Sequence, residues 1–129
     1  MTANPSVTEL IGIYHADGGP LGETKYFIGR LLGTAHCALC DVAHSPVRRK
    51  PQWDSMVARL GIPVVLLHLN EQPADVSAAT RRTGTPAVLA RLSDGSLQPV
   101  LGPEALDRLG GSVDDFETAV TEAIATAGW

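Results

Sequence analysis

The chain reads as one α/β domain, a mixed central sheet of about four strands flanked by helices. Three patterns predict this. A continuous apolar run of strand type lies between helical patterns, two strand-type segments flank a tight-turn signal, and an amphipathic helix closes the chain. The resulting order is strand, helix, strand, helix, hairpin, helix. A strand-helix-strand unit demands a right-handed crossover and yields a parallel pair, and a hairpin adds antiparallel strands to it.

Each element follows from its residues. Val7 to Tyr14 is rich in strand formers and ends at the turn signal Asp17-Gly18-Gly19-Pro20. From Leu21 to Leu32, the apolar residues Leu21, Ile28, Leu31 and Leu32 recur at helical spacing, and Gly33 stops the pattern. A segment dense in cysteine and histidine comes next, then a polar loop containing Pro46 and Pro51. Trp53, Met56, Val57 and Leu60 define the apolar face of a short helix closed by Gly61. The run Ile62 to Leu69 suits a strand buried on both faces of a parallel sheet. Asp75 to Arg82 forms a short helix with Gly84 just past its end. Ala87–Leu92 and Leu97–Leu101 flank Ser93-Asp94-Gly95-Ser96 as a hairpin, with Pro99 suited to an edge or a strand end. Ser112-x-x-Asp115 opens the last helix, whose stripe is Phe116, Val120, Ala123 and Ile124. No internal repeat and no second domain is visible, so residues 1–129 are read as a single unit.

Composition removes several classes of function. Hydrophobic residues make up 44% and charged residues 19%, as in an ordinary globular protein. The formal net charge is −4, and Arg48-Arg49-Lys50 is the one basic run, so nucleic acid is not an expected partner. The apolar run Pro63 to Leu67 is far short of the roughly 20 residues that span a bilayer, and the start carries no signal-peptide pattern. A cytoplasmic location follows as the expectation. There a C-x-x-C pair reads as metal ligands or a redox couple before it reads as a structural disulfide.

The element order and the tetrapeptide Gly84-Thr85-Pro86-Ala87 together resemble the thioredoxin-like fold over roughly residues 7 to 127. That resemblance implies a three-layer sandwich with a cis-proline, Pro86, facing the functional edge. One departure matters. Thioredoxins carry C-x-x-C directly after the first strand, where this chain has His15-Ala16-Asp17-Gly18-Gly19-Pro20. The cysteines fall later, in an insertion at approximately 34–51 within the first crossover. The chain also resembles a group of small bacterial proteins sharing H-C-x-L-C-D-x-x-H and a later L-L-H-x-x-E, sometimes labelled GTPase. A phosphate loop needs G-x-x-x-x-G-K-[ST], but Thr24 stands five positions after Gly19 and Tyr26 follows Lys25. No nucleotide is expected.

The chemistry concentrates in His36-Cys37-Ala38-Leu39-Cys40-Asp41-Val42-Ala43-His44. At about 100° per residue on a helix, Cys37, Cys40, Asp41 and His44 share an arc of about 100°. A place near a helix N-terminus would favour the Cys37 thiolate. Cys37, Cys40 and His44 supply three ligands of a tetrahedral soft-metal site. His68 is the candidate fourth, brought to the same edge by a parallel strand pair, and His36 is its rival. Asp41 and Glu71 are the carboxylates that would orient an imidazole. Two thiolates with imidazoles suit zinc or copper, the latter as cuprous ion. The alternative is thiol-disulfide exchange or redox sensing, with Cys37 attacking, Cys40 resolving and His36 or His44 as base. A redox partner protein would then replace the metal ion. A third possibility is an interaction module in which neither thiol acts. The displaced cysteines and the density of histidines place the metal reading first. His15 is read as capping its strand.

Overall fold

The computed structural model describes residues 5–15, 39 and 51–129. Its elements are β1 (Val7–Ile13), α1 (Pro51–Leu60), β2 (Val64–Leu67), α2 (Ala74–Thr83), β3 (Ala87–Leu92), β4 (Leu97–Leu101), α3 (Pro103–Asp107) and α4 (Val113–Ala127). A single 3-10 turn, Leu69–Glu71, joins β2 to α2. The four strands form one mixed sheet in the order β2-β1-β3-β4. β1 runs parallel to β2 and antiparallel to β3, and β3 runs antiparallel to β4.

Alternation along β1 sends its residues into two apolar clusters, one on each face. Leu10 and, just past the strand, Tyr14 join Trp53, Met56, Val88, Ala90, Leu106, Phe116 and Val120 in the larger cluster, under α1, α3 and α4. Leu39, itself helical and fully buried, belongs to this cluster too. Ile11 and Ile13 join Leu89 with Val76 and Ala79 of α2 on the opposite face. Helices thus cover both faces of the sheet. No helix among the described residues is long and apolar enough to cross a membrane.

Side-chain chemistry fixes how the helices seat. The Trp53 and Phe116 rings pack with centroids 5.0 Å apart, locking α1 against α4. Beside them, Arg59 forms a two-pronged pair with Glu117, at 2.8 Å from Nη2 and 3.3 Å from Nε. At the start of α4 the Ser112 hydroxyl accepts from the Asp115 amide at 3.1 Å, satisfying one of the donors a helix leaves unpaired. On the other face Arg91 of β3 reaches three groups. Its Nη2 lies 3.0 Å from Asp75 Oδ2 of α2, its Nε lies 3.4 Å from Glu9 Oε1 of β1, and its Nη1 donates to the Gly95 carbonyl. Helix, central strand and hairpin tip are tied together by one guanidinium.

Three sequence expectations are corrected. The Ile62–Leu69 run does not form a strand buried on both faces. β2 is only Val64–Leu67 and lies at the sheet edge. Val64 and Leu66 face the larger cluster, but Val65 is 39% exposed, because α2 packs toward β4 on that face. A continuous apolar run cannot report which flank of the sheet a strand occupies. Second, Pro51 is the first residue of α1 and not part of a loop. A proline there loses no bond, since the first helical amides have no partner within the helix. Third, α3 has no counterpart in the sequence reading. Its five residues are too few for a periodic apolar pattern, and only Leu106 is buried. The expected helix over Leu21 to Leu32 lies outside the described residues.

Candidate functional site

Strand register gathers one edge of the sheet. Ile13, the last residue of β1, stands opposite Leu67, the last of β2, and opposite Ala87, the first of β3. The residues that follow or precede them therefore meet: Tyr14 and His15, then His68, then Thr85 and Pro86. The parallel bond pattern runs to the very end, where the Tyr14 amide donates to the Leu67 carbonyl at 2.8 Å.

His68 is held from two sides. Its ring meets the buried Tyr14 ring edge-on, with centroids 5.1 Å apart. Glu71 curls back over the 3-10 turn, and its Oε1 accepts from the His68 backbone amide at 2.7 Å and lies 2.6 Å from His68 Nδ1. The turn itself is closed by the Glu71 amide donating to the His68 carbonyl. Those two bonds, the one from the backbone amide first, hold the Glu71 carboxyl below the ordinary glutamate range. The carboxylate is therefore ionised at neutral pH and can only accept, which places a proton on Nδ1. In a neutral ring, Nε2 then carries the lone pair. A carboxylate on one imidazole nitrogen is the arrangement that orients metal-bound histidines.

Beside this pair, His15 Nδ1 lies 2.8 Å from Thr85 Oγ1, and the Thr85–Pro86 peptide bond is cis. Gly84 precedes them as the cap of α2, with φ 78° and ψ 176°. That backbone region is essentially restricted to glycine. Among the sequence-derived candidates, His68, Glu71 and Pro86 therefore share the edge, and His15 reaches it through Thr85. Cys37, Cys40, His44, His36 and Asp41 lie outside the described residues. Among the described residues no group of three or more His, Cys, Asp or Glu side chains is placed to hold a metal ion.

Leu39, the residue just before Cys40, is described and fully buried. It lies against Gly12 of β1: a Cβ on Gly12 would stand 3.1 Å from Leu39 Cδ2 and 2.9 Å from Leu66 Cδ2. Gly12 pairs with Leu66 in the parallel register, two residues before Tyr14 and His68 respectively. Tyr14, Thr85 and Gly12 did not figure among the sequence candidates. Tyr14 carries a usable signal, a polar-tipped aromatic ending an apolar strand, whereas the other two act through neighbours remote in sequence.

No family model, curated protein or solved structure matches the chain.

Proposed function

We propose that the protein binds a thiophilic transition metal, zinc or cuprous copper, through Cys37, Cys40, His44 and His68 on a thioredoxin-like frame. The sheet order β2-β1-β3-β4, the parallel β1/β2 pair and the antiparallel hairpin opened by a cis-proline support that frame. The observation that carries the metal reading is the placement of His68. It is oriented by Glu71 and Tyr14, and it stands two residues after Leu66, which packs at the same glycine as Leu39 of the cysteine segment. The backbone between Leu39 and Cys40 spans one residue, about 3.8 Å between Cα atoms. Leu39 thus lies on the face of the sheet that also carries His68, which supports reading its cysteine neighbours as partners of that imidazole.

Each group has a chemical part. The thiolates of Cys37 and Cys40 supply soft donors that favour zinc or cuprous ion over hard cations. His44 and His68 add neutral nitrogen, and Glu71 sets which nitrogen of His68 carries the proton. His36 is the substitute for His68, and Asp41 is a carboxylate for His44. The test is metal content after purification without added metal, for the native chain, Cys37→Ser and His68→Ala. Near-stoichiometric metal in the native chain and its loss in both variants is the expected result. A native chain with no metal after that purification, and none after zinc is restored, defeats the proposal.

The C-x-x-C spacing of Cys37 and Cys40 supports one further reading, dithiol exchange. Cys37 thiolate would attack a substrate disulfide and release one substrate thiol. Cys40 would then displace the other and leave a Cys37–Cys40 disulfide, two electrons having passed to the substrate. Metal-free protein that reduces insulin disulfides through Cys37 would put this reading first.

A further inference from the structure

We propose that β2 is the contact of a two-fold homodimer, in which the strand pairs antiparallel with β2 of a second copy and Val65 packs on its own counterpart. The inference is independent of the metal reading. Backbone phase sets the register. The Leu10 amide donates to the Pro63 carbonyl, and the Tyr14 amide donates to the Leu67 carbonyl. Pro63 and Leu67 therefore turn their backbone groups toward β1, and Val65 between them does the same. Val64 and Leu66 turn theirs away, and among the described residues no strand lies beyond them. The outward row stops at His68, whose amide is taken by the Glu71 carboxylate at 2.7 Å.

The opposite edge of the sheet shows how such a row is closed. The Leu92 amide bonds the Ser96 carbonyl and Ala90 stands opposite Gln98, which leaves Leu97 and Pro99 in the outward phase of β4. Proline has no amide to offer there, a common device against edge pairing. β2 carries no such device. Its own proline, Pro63, sits in the inward phase, and from Gly61 to Leu67 no side chain is charged. An uncharged strand meets an identical strand without repulsion, whereas a charged one selects an opposite partner.

The side chains agree with the backbone. Pro63 and Val65 stand exposed on the face where α2 packs toward β4, with Leu67 half-buried beside them. Val65, 39% exposed, is the one exposed large apolar side chain among the described residues. Pairing Val64 with Leu66 of the second copy, and Leu66 with its Val64, satisfies the outward groups of both residues. The two-fold axis then passes beside Val65, which faces its copy as a non-hydrogen-bonded pair about 4.5 Å apart at Cα. Pro63 falls opposite Leu67 of that copy, so the exposed stripe covers itself. The contact is isologous and closed.

Sedimentation velocity of the full chain over roughly 1 µM to 1 mM is the test, with reductant and chelator present to exclude disulfide and metal bridges. The native chain should pass from the 13.6 kDa monomer to twice that mass. Val65→Lys and Val65→Glu each set like charges face to face across the axis and stay monomeric, and an equimolar mixture of the two dimerises again. Gln98→Lys, on the other edge, dimerises as the native chain does. In an independent readout, mild oxidation of Val65→Cys without reductant gives a covalent dimer joined through the new thiols, identified by mass spectrometry. A native chain that stays monomeric up to about 1 mM overturns the inference. Slow amide exchange at Val64 and Leu66 in that monomer would assign the edge to another segment of the same chain. A dimer that persists in Val65→Lys, or a mixture that stays monomeric, also overturns the inference, because the contact then lies elsewhere.

Discussion

Replacing Glu71 with glutamine isolates the carboxylate's share in orienting His68, which Tyr14 also holds. A single oxygen, Oε1, serves both the His68 amide at 2.7 Å and Nδ1 at 2.6 Å. The glutamine carbonyl can keep the backbone bond, so the 3-10 turn survives. The charge goes, and with it the extra strength of two short bonds to a carboxylate. The substituted amide can also offer N–H to the ring, which would reverse the tautomer. Because the Glu71 side chain is 48% exposed, the cost to folding stays below about 1 kcal/mol. The cost to metal binding is larger: losing a carboxylate behind a histidine ligand lowers affinity about 10- to 100-fold. At 1.4 kcal/mol per decade, that is roughly 1.4–2.8 kcal/mol. Chelator competition measures the affinity, and the cobalt-substituted protein reports the thiolates separately through its sulfur-to-metal absorption. The expected pattern is weaker binding with an unchanged thiolate band. If Glu71→Gln and His68→Ala both bind zinc as the native chain does, His68 is outside the ligand set and the reasoning from this pair is refuted.

Three further outcomes are expected. Gly84→Ala places a Cβ in a backbone region essentially reserved for glycine, 3.4 Å from Pro103 Cγ, and should cost about 1–3 kcal/mol in urea unfolding; an unaltered midpoint would contradict the strain. Ser112→Ala removes the α4 cap and should cost about 1 kcal/mol, or about 3–5 °C in Tm, while Ser112→Gly costs only a few tenths; an unaltered Tm in Ser112→Ala would mean that the cap bond contributes nothing. Asp75 is held below the ordinary aspartate range by its hydrogen bond to Arg91, so its contribution is complete above about pH 4 and fades as pH falls through the lowered folded-state value. The stability gap between the native chain and Asp75→Asn should therefore shrink on acidification, and a gap independent of pH from 6 to about 2 would argue against the pair.

Local patterns made much of this fold legible. Ser112 with Asp115 announced a helix start and the structure supplies the bond between them. The Ser93–Ser96 turn and its flanking strands fall where the hairpin signal put them. Glu71 was readable as a carboxylate that orients an imidazole, and the structure pairs it with His68 across a short turn. What escaped depends on elements far apart in the chain. Arg91 looks like any charged residue in a strand until Glu9 and Asp75 are brought beside it. His15 and Thr85 meet only because β1 and β3 share a register. The apolar run of β2 overstated its burial, since an edge strand can be as apolar as a central one. Gly12 was invisible for a related reason: the methyl groups that exclude a side chain there arrive from two other segments.

β1 is hydrogen-bonded on both sides in opposite senses, and from Leu10 onward its residues alternate between the two clusters. Inserting or deleting one residue in it would turn every following side chain to the wrong face and break register with two neighbours at once. The tip at Ser93–Ser96 lies outside both clusters, and its ties, from Arg91 to the Gly95 carbonyl and between Ser93 and Ser6, bury no side chain whose face a change of length would reverse. Variation in length is thus open to the hairpin's end and closed to the middle of the sheet.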